Sequence, residues 1–444
     1  MKQQCEHSLF GTDGIREKIG QSLLTIKQLQ KLGYAIGQQI INQHGPQTSI
    51  LLGHDTRVSC SFIKTALQSG LLLHPLNVVD AGILPTPAVC KLTNQHMAFK
   101  AGVIITASHN TYQDNGIKIV DHYGAKSKEL TCAIEQYFST VPEIFDYTSL
   151  GNLTTWPGAT SKYVSHLCEL FAPNFLKHRT VVIDCANGAF SHIAPHVFEK
   201  LGATVIALHN NPNGTNINKD CGSLHPENLI TTVRKNNADI GFGFDGDGDR
   251  IIVVTKDGIQ KDGDDILALL LQHPGYTNEQ AVVGTIVSNK GLATWLASRN
   301  KQLIRAGVGE PSVVEQLKQR NCLLGGEPSG HIVLNNYLGS SDALFTALRL
   351  CEVIIQTDNW NCTTFERYPQ INLTVPVVTK IPLDQQPLAR IITQADSLLP
   401  QGRLVVRYSG TENILRITTE DKNKEHAHKI AQTLAEKMKQ ELSS

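Results

Sequence analysis

Residues 244–250, FDGDGDR, place Asp245, Asp247 and Asp249 at alternate positions with glycine between them. An apolar run precedes them and IIVVT follows, so the sequence predicts a tight loop between two strands. Glycine lets such a loop curl, and three carboxylates brought together repel one another unless a cation lies among them. Hard oxygen ligands suit Mg2+ or Ca2+. An EF-hand would need glycine and glutamate where this chain has Arg250 and Lys256, which excludes it. The GxGxxG spelling from Gly241 to Gly246 leads into a strand rather than a helix, so it is not a dinucleotide turn.

Four further segments carry reactive groups. In ITASHNTYQDNGIK, residues 105–118, Ser108 follows a strand among small and polar residues, the setting of a loop nucleophile that needs activation or prior phosphorylation. No GxSxG elbow surrounds it, and Ser-His-Asn by itself also reads as a capped turn. GEPSGH, residues 326–331, offers Glu327, Ser329 and His331 between glycines, the composition of a polyol-binding loop or of a surface turn. RYSGTENILR, residues 407–416, surrounds Gly410 with Arg407, Ser409, Thr411, Asn413 and Arg416, an anion nest suited to phosphate. FGTDGIR, residues 10–16, sets Arg16 beside a glycine turn as a further phosphate contact.

The elements that must position these groups alternate between short β-rich runs and helical stretches, which is an α/β pattern. Strands are expected at 48–53, 101–106 and 116–120, with a helix carrying Ile63, Leu67 and Leu71 between the first two. RTVVIDCANGAF, ATVIALHN and ADIGFGFD supply a second set, and RIIVVTKDG and AVVGTIVSNKG open a third. The Pro-containing stretch 364–386 reads as a linker into strands 403–407 and 414–418 and an amphipathic helix 423–442. The expected units are 1–150, 151–250, 251–365 and 366–444.

The 444 residues carry 40 Lys+Arg and 40 Asp+Glu, so the chain lacks the basic surplus of an electrostatic nucleic-acid binder. Hydrophobic residues at 41% suffice for several cores and exclude a largely disordered chain. No run approaches the ~20 apolar residues of a membrane helix, and the N-terminus has no apolar signal core. Ten scattered cysteines without a CxxC pair read as reduced thiols in a cytoplasmic enzyme, and the 17 histidines include no HExxH.

Taken in order, GTDGIR, TASHN, DCANGA, FDGDGDR, GExSGH and RxSGTE resemble the α-D-phosphohexomutase superfamily over essentially the whole chain, and within it the bacterial phosphoglucosamine mutases. The resemblance implies a four-domain architecture: three similar mixed α/β domains and a smaller C-terminal α+β domain around a central cleft. It implies interconversion of glucosamine 6-phosphate and glucosamine 1-phosphate, on the route to UDP-N-acetylglucosamine and cell-wall precursors. It implies phosphoserine at Ser108, one Mg2+ held by Ser108, Asp245, Asp247 and Asp249, and a sugar 1,6-bisphosphate as intermediate and activator. Arg250, His109, Lys118 and Arg16 would serve phosphoryl or proton transfer. Glu327, Ser329 and His331 would face the sugar. Arg407, Ser409, Gly410, Thr411, Asn413 and Arg416 would hold the phosphate that does not react. Expected partners are a small hexosamine phosphate and, at most, a second copy of the chain.

The chain departs from that pattern in several places. Thr111 stands where proline commonly follows SHN, and Asn413 where proline commonly follows GTE. VGEPSVVEQL at 308–317 replaces a usual Gly-Asp-Arg in a loop expected to face the sugar. Pro328 lies inside the sugar loop, and Ser341-Asp342 replaces Gly-Asp. Two alternatives stay open on these residues: a phosphomannomutase/phosphoglucomutase of the same mechanism, and a non-catalytic sugar-phosphate sensor.

Overall fold

The computed structural model describes residues 9–442 except 12, 143–148 and 410–412. The chain divides into two compact units, residues 1–279 with 309–363 and residues 280–308 with 364–444. The architecture is mixed α/β, as expected.

The larger unit contains a six-stranded sheet in the order Ile15–Lys18, Asp114–Asp121, Phe99–Ile105, Ser49–His54, Asn77–Ile83, Asn152–Thr155. Its inner strands run parallel, and the pairings of Asp114–Asp121 are antiparallel. Ile50, Leu51 and Leu52 in succession are fully buried, the mark of a strand covered on both faces. Helices Ile26–His44 and Cys60–Leu71 cover one face and bury Leu29, Leu32, Ile36, Ile40, Ile63 and Leu67 in one core. Each such side chain contributes roughly 2 kcal/mol on leaving water. The chain leaves the carboxyl end of Phe99–Ile105 directly into the Ser108 loop, the edge at which open α/β sheets place their ligands.

A five-stranded sheet follows, in the order Gln260–Lys261, Ile251–Thr255, Ile240–Phe244, Thr180–Asp184, Thr204–Leu208. Phe244 pairs with Ile251 in an antiparallel hairpin, so FDGDGDR is the loop between two strands, as its spacing predicts. The boundary expected at residue 250 falls inside this hairpin. IIVVT is the return arm of the sheet it leaves, not the start of another.

Two segments differ from expectation. Residues 364–386, expected as linker, contain the strand Gln370–Pro376, which pairs along its length with Ile414–Glu420. The period-two run Ile371, Leu373, Val375 was its signal, obscured by the flanking prolines. Residues 308–317 are no loop: a helix runs from Glu310 to Arg320 with Pro311 in its first turn, where a missing N–H costs nothing. In the smaller unit the three-stranded sheet Gln370–Pro376, Ile414–Glu420, Arg403–Tyr408 carries helix Lys424–Leu442, whose Ile430, Leu434 and Met438 are buried in its core. The nine cysteines among the described residues are free thiols. Among the same residues no helix is long and apolar enough to cross a membrane.

Asp342 caps helix Ala343–Thr357 by accepting from the Phe345 N–H at 3.0 Å, and its carboxylate also accepts from the hydroxyls of Tyr163 and Tyr337. Burial penalises the ionised form and pushes the carboxyl up to about 6 despite these donors. A carboxyl raised from 3.8 in this way contributes most below the lower value and loses that contribution as pH rises through the higher one. Asp342→Asn does not ionise, so it should gain on the parent by roughly 1–2 kcal/mol between about pH 5 and about pH 7.5. Urea-unfolding midpoints of both proteins at the two pH values check this; a difference that does not move with pH would contradict it.

Candidate active site

Ser108 occupies the loop between strands Phe99–Ile105 and Asp114–Asp121, fully buried and with a left-handed φ of 51°. Its amide donates to Thr106 Oγ1 at 2.9 Å, and its hydroxyl donates to Asp245 Oδ2 at 2.7 Å. The serine and the aspartate loop, 137 residues apart in sequence, thus meet directly. Close backbone approach requires the glycines: a Cβ on Gly246 would lie 2.7 Å from the Ser108 carbonyl oxygen, and Gly248 has a φ of 78°.

Asp245, Asp247 and Asp249 are each 1% exposed, and one oxygen from each lies within 4.8 Å of the others. Asp245 Oδ1 accepts from the Gly248 and Arg250 amides at 3.1 Å. Asp247 Oδ2 accepts from Thr86 Oγ1 at 2.5 Å and from Lys118 Nζ at 2.8 Å. Asp247 Oδ1, though buried, has no hydrogen-bond partner among the described residues. Burial, reinforced by Asp247 and Asp249, pushes the Asp245 carboxyl up to about 8. A crowded, dry set of hard oxygens with one acceptor left over fits a divalent cation such as Mg2+, and these three residues could hold it.

Lys118 is buried with its ammonium 2.8 Å from Asp247 and Asp249 and 3.1 Å from Asp13. Burial works against its charge, but the three carboxylates hold it well above the ordinary lysine range. Asp13 also pairs with Arg16 at 3.0 Å and with Lys126, while Arg16 reaches Asn110 Oδ1 at 3.4 Å. His109 Nδ1 lies 3.3 Å from Ser108 Oγ. Burial and the Arg250 and Arg16 guanidiniums push this imidazole down to about 3, so it is neutral at physiological pH.

His331 links the sugar-loop motif to the aspartates. Its Nδ1 lies 2.9 Å from Glu327 Oε2 and its Nε2 3.1 Å from Asp249 Oδ1. Burial opposes protonation, yet Asp249 leads a set of partners that raise the ring to about 10. The imidazolium donates to both carboxylates, and Arg250 Nε, 3.2 Å from His331 Nε2, is then a repelling neighbour rather than a donor. Glu327 Oε1 accepts from the Gly309 amide at 2.8 Å, and Ser329 is exposed. Glu310, the residue that departs from the family pattern, is buried. It accepts from the Ser341 amide at 2.7 Å and from Lys126 Nζ at 2.5 Å. The departures at 310 and 341 therefore touch, and Glu310 joins the chain Lys126–Asp13–Lys118 that ends on the aspartate loop.

Ser108, His109, Lys118, Arg250, Arg16, the three aspartates, Glu327 and His331 thus share one connected network. Asp13, Thr86, Lys126 and Glu310 belong to it as well; Asp13 lies in the FGTDGIR segment and Glu310 in the divergent 308–317 stretch, but none of the four was a candidate site residue. In the smaller unit, Arg407 and Arg416 are direct cross-strand partners. Burial and Arg416 lower the Arg407 guanidinium below its usual range. Like charges placed opposite one another destabilise a sheet and suit an anion. The Ser409 carbonyl accepts from Lys380 Nζ at 2.8 Å, Asn413 is exposed, and Gly410 and Thr411 lie outside the described residues.

Four family signatures match the chain in order: phosphoglucomutase/phosphomannomutase alpha/beta/alpha domain I over residues 7–144, domain II over 161–258, domain III over 262–368, and the C-terminal domain over 371–437. The chain belongs to the phosphoglucomutase/phosphomannomutase family. This bears out the α-D-phosphohexomutase resemblance and the enzyme class it carries. The chain is 38% identical to phosphoglucosamine mutase of Coxiella burnetii over 97% of this chain and 98% of that protein. It is 39% identical to that of Acinetobacter baylyi over 97% and 99%, and 40% identical to that of a Psychrobacter species over 98% and 99%. Among solved structures, a phosphoglucomutase/phosphomannomutase family protein of Burkholderia thailandensis shares the fold at a TM-score of 0.78 and 22% identity, with 95% of each chain covered. N-acetylphosphoglucosamine mutase of Aspergillus fumigatus, in complex with GlcNAc-6P and magnesium, shares it at 0.64 and 16%, over 93% of this chain and 98% of that one.

Proposed function

We propose that this enzyme interconverts glucosamine 6-phosphate and glucosamine 1-phosphate through a phosphoserine at Ser108 and a sugar 1,6-bisphosphate. The observation that carries the reading is the 2.7 Å contact between Ser108 Oγ and Asp245 in a loop of three buried carboxylates. The choice of amino sugar is supported by relatives named phosphoglucosamine mutase at 37–40% identity over nearly the whole chain.

Asp245, Asp247 and Asp249 would hold Mg2+ beside the Ser108 phosphate. Bound there, Mg2+ supplies positive charge against the phosphoryl oxygens. A sugar hydroxyl attacks the phosphorus of phospho-Ser108, the new sugar O–P bond forms, and the Ser108 O–P bond breaks. The bisphosphate then turns round and its other phosphoryl group returns to Ser108. Lys118, held charged by its carboxylates, neutralises but does not accept a proton. The proton of the attacking hydroxyl ends on the Ser108 oxygen that loses the phosphoryl group, and neutral His109, 3.3 Å from that oxygen, relays it. Arg250 and Arg16 add cationic charge on the same side, Glu327 and Ser329 face sugar hydroxyls, and His331 braces Glu327. Arg407, Arg416 and residues 409–413 hold the phosphate that is not in transfer, which must be recognised without a metal.

A panel assay with glucosamine, glucose and mannose phosphates, Mg2+ and a trace of sugar bisphosphate tests the reading. The expected result is the highest kcat/KM for glucosamine phosphate. A higher value for mannose phosphate would favour the phosphomannomutase/phosphoglucomutase reading, and no turnover of any would favour the sensor.

A further inference from the structure

Arg57, in the segment LLGHDTR, has no role in the chemistry above, yet its side chain is wholly buried against the serine loop. All five of its guanidinium N–H groups are engaged. Nε donates to Asp55 Oδ2 at 2.8 Å. One terminal nitrogen donates to the Thr111 carbonyl at 2.5 Å and the Asp114 carbonyl at 3.2 Å; the other donates to the Ser108 carbonyl at 2.9 Å and the Asn110 carbonyl at 2.8 Å. Four carbonyl oxygens of one short loop therefore converge on a single planar cation. Converging carbonyls repel unless donors lie between them, and the fork geometry of a guanidinium supplies those donors where a lysine's single nitrogen cannot.

The same assembly grips Ser108 from its other end. Asp55 Oδ2 also accepts from Thr106 Oγ1 at 2.6 Å, and Thr106 Oγ1 accepts the Ser108 amide. Asn218 Nδ2 adds donors to the Ser108 and Asn110 carbonyls at 2.8 and 2.9 Å. A left-handed non-glycine residue persists only where its surroundings over-determine it, and here both its amide and its carbonyl are fixed. Thr111 leaves the backbone free at the point that the guanidinium holds, where a proline would fix φ.

We propose that Arg57 is the positioning residue of the phosphoryl carrier: it sets the left-handed turn that aims Ser108 Oγ at the aspartate loop. The inference rests on the reading of Ser108 as that carrier. A displacement on the order of 1 Å in a reacting atom costs about 100-fold in rate, which sets the expected effect.

The test compares the parent, Arg57→Lys, Thr111→Pro and the double variant, by steady-state kinetics and by intact-mass measurement of phosphate uptake from glucose 1,6-bisphosphate. Arg57→Lys should lose about 100-fold in kcat and in phosphate uptake, with KM changed by less than about threefold. Thr111→Pro alone should stay within about threefold of the parent, and in the double variant it should restore at least about tenfold by returning constraint to the loop. Melting curves correct each rate for the folded fraction. Should Arg57→Lys fail to fold, Asn218→Ser, which withdraws donors from the same two carbonyls, should show a weaker kcat loss that Thr111→Pro also relieves. A lysine variant within threefold of a parent that takes up phosphate overturns this inference alone. So does a loss that tracks the folded fraction and is not relieved by proline. A parent that takes up no phosphate overturns the mutase reading, and this inference with it.

Discussion

Ser108→Ala is expected to lose roughly 10⁴-fold or more in mutase kcat and to carry no phosphate after exposure to sugar bisphosphate, while remaining folded. The fold should survive because the loop is gripped through the backbone. Thr106 Oγ1 holds the Ser108 amide, and Arg57 and Asn218 hold its carbonyl; none of these bonds uses the hydroxyl. Asp245 loses one donor but keeps the Gly248 and Arg250 amides on its other oxygen. On the proposed mechanism, what alanine removes is therefore the group that carries the phosphoryl between two sugar orientations. Intact-mass spectra and the glucosamine phosphate assay check this together. An alanine variant that turned over at a few per cent of the parent rate would place the carrier elsewhere.

How much of this could be read from the chain depends on how far apart the cooperating groups lie. The aspartate loop declared itself because glycine alternates with carboxylate over the five residues 245–249, between two apolar runs. Strand interiors such as Ile50–Leu52 did so because burial on both faces leaves a continuous apolar stretch. The partners of that loop did not. Thr86 reaches Asp247 across 161 residues, Lys118 reaches Asp249 across 131, and Lys126 reaches Glu310 across 184. None carries a local pattern that sets it apart from an ordinary surface residue. Lys118 and His109 entered the sequence reading largely through resemblance to a family, whereas Arg16 was read from the glycine turn beside it.

Two stretches were misread, one through its prolines and one through the family pattern. Around 370–376 flanking prolines made an edge strand look like a linker, although the pairing partners of such a strand do not need an N–H at its ends. At 308–317 the family pattern implied a loop facing the sugar, but Gly-Glu-Pro is the start of a helix, where proline is favoured. The consequence for function is concrete. Glu310 sits not as a free loop residue before the sugar but buried in an ion network with Lys126 and Asp13. A carboxylate so paired is costly to strip of its partner, by about 3–5 kcal/mol, so its role is bound to the geometry of the site rather than to the surface.

Asp247→Asn should raise the Mg2+ concentration needed for half-maximal activity by at least about 100-fold, and should weaken Mn2+ binding measured directly by about as much. The argument turns on which way the amide must point. Asp247 Oδ2 accepts from both Thr86 Oγ1 and Lys118 Nζ, two donors that an amide nitrogen could not satisfy. The asparagine oxygen is therefore held in that place, which sends the NH2 to the position of Oδ1, the buried oxygen that no donor among the described residues fills. In the proposed metal site a ligand atom becomes a pair of N–H donors, and the loop loses one negative charge beside Asp245 and Asp249. Lys118 stays paired with Asp249 and Asp13, so the fold loses little. Thr86→Val provides the contrast: it removes one donor from Oδ2 and leaves all three carboxylates in place, so its Mg2+ requirement should move by less than about tenfold. Should the asparagine variant bind Mn2+ as tightly as the parent, Asp247 is no ligand, and the cation must be held by some other set of oxygens.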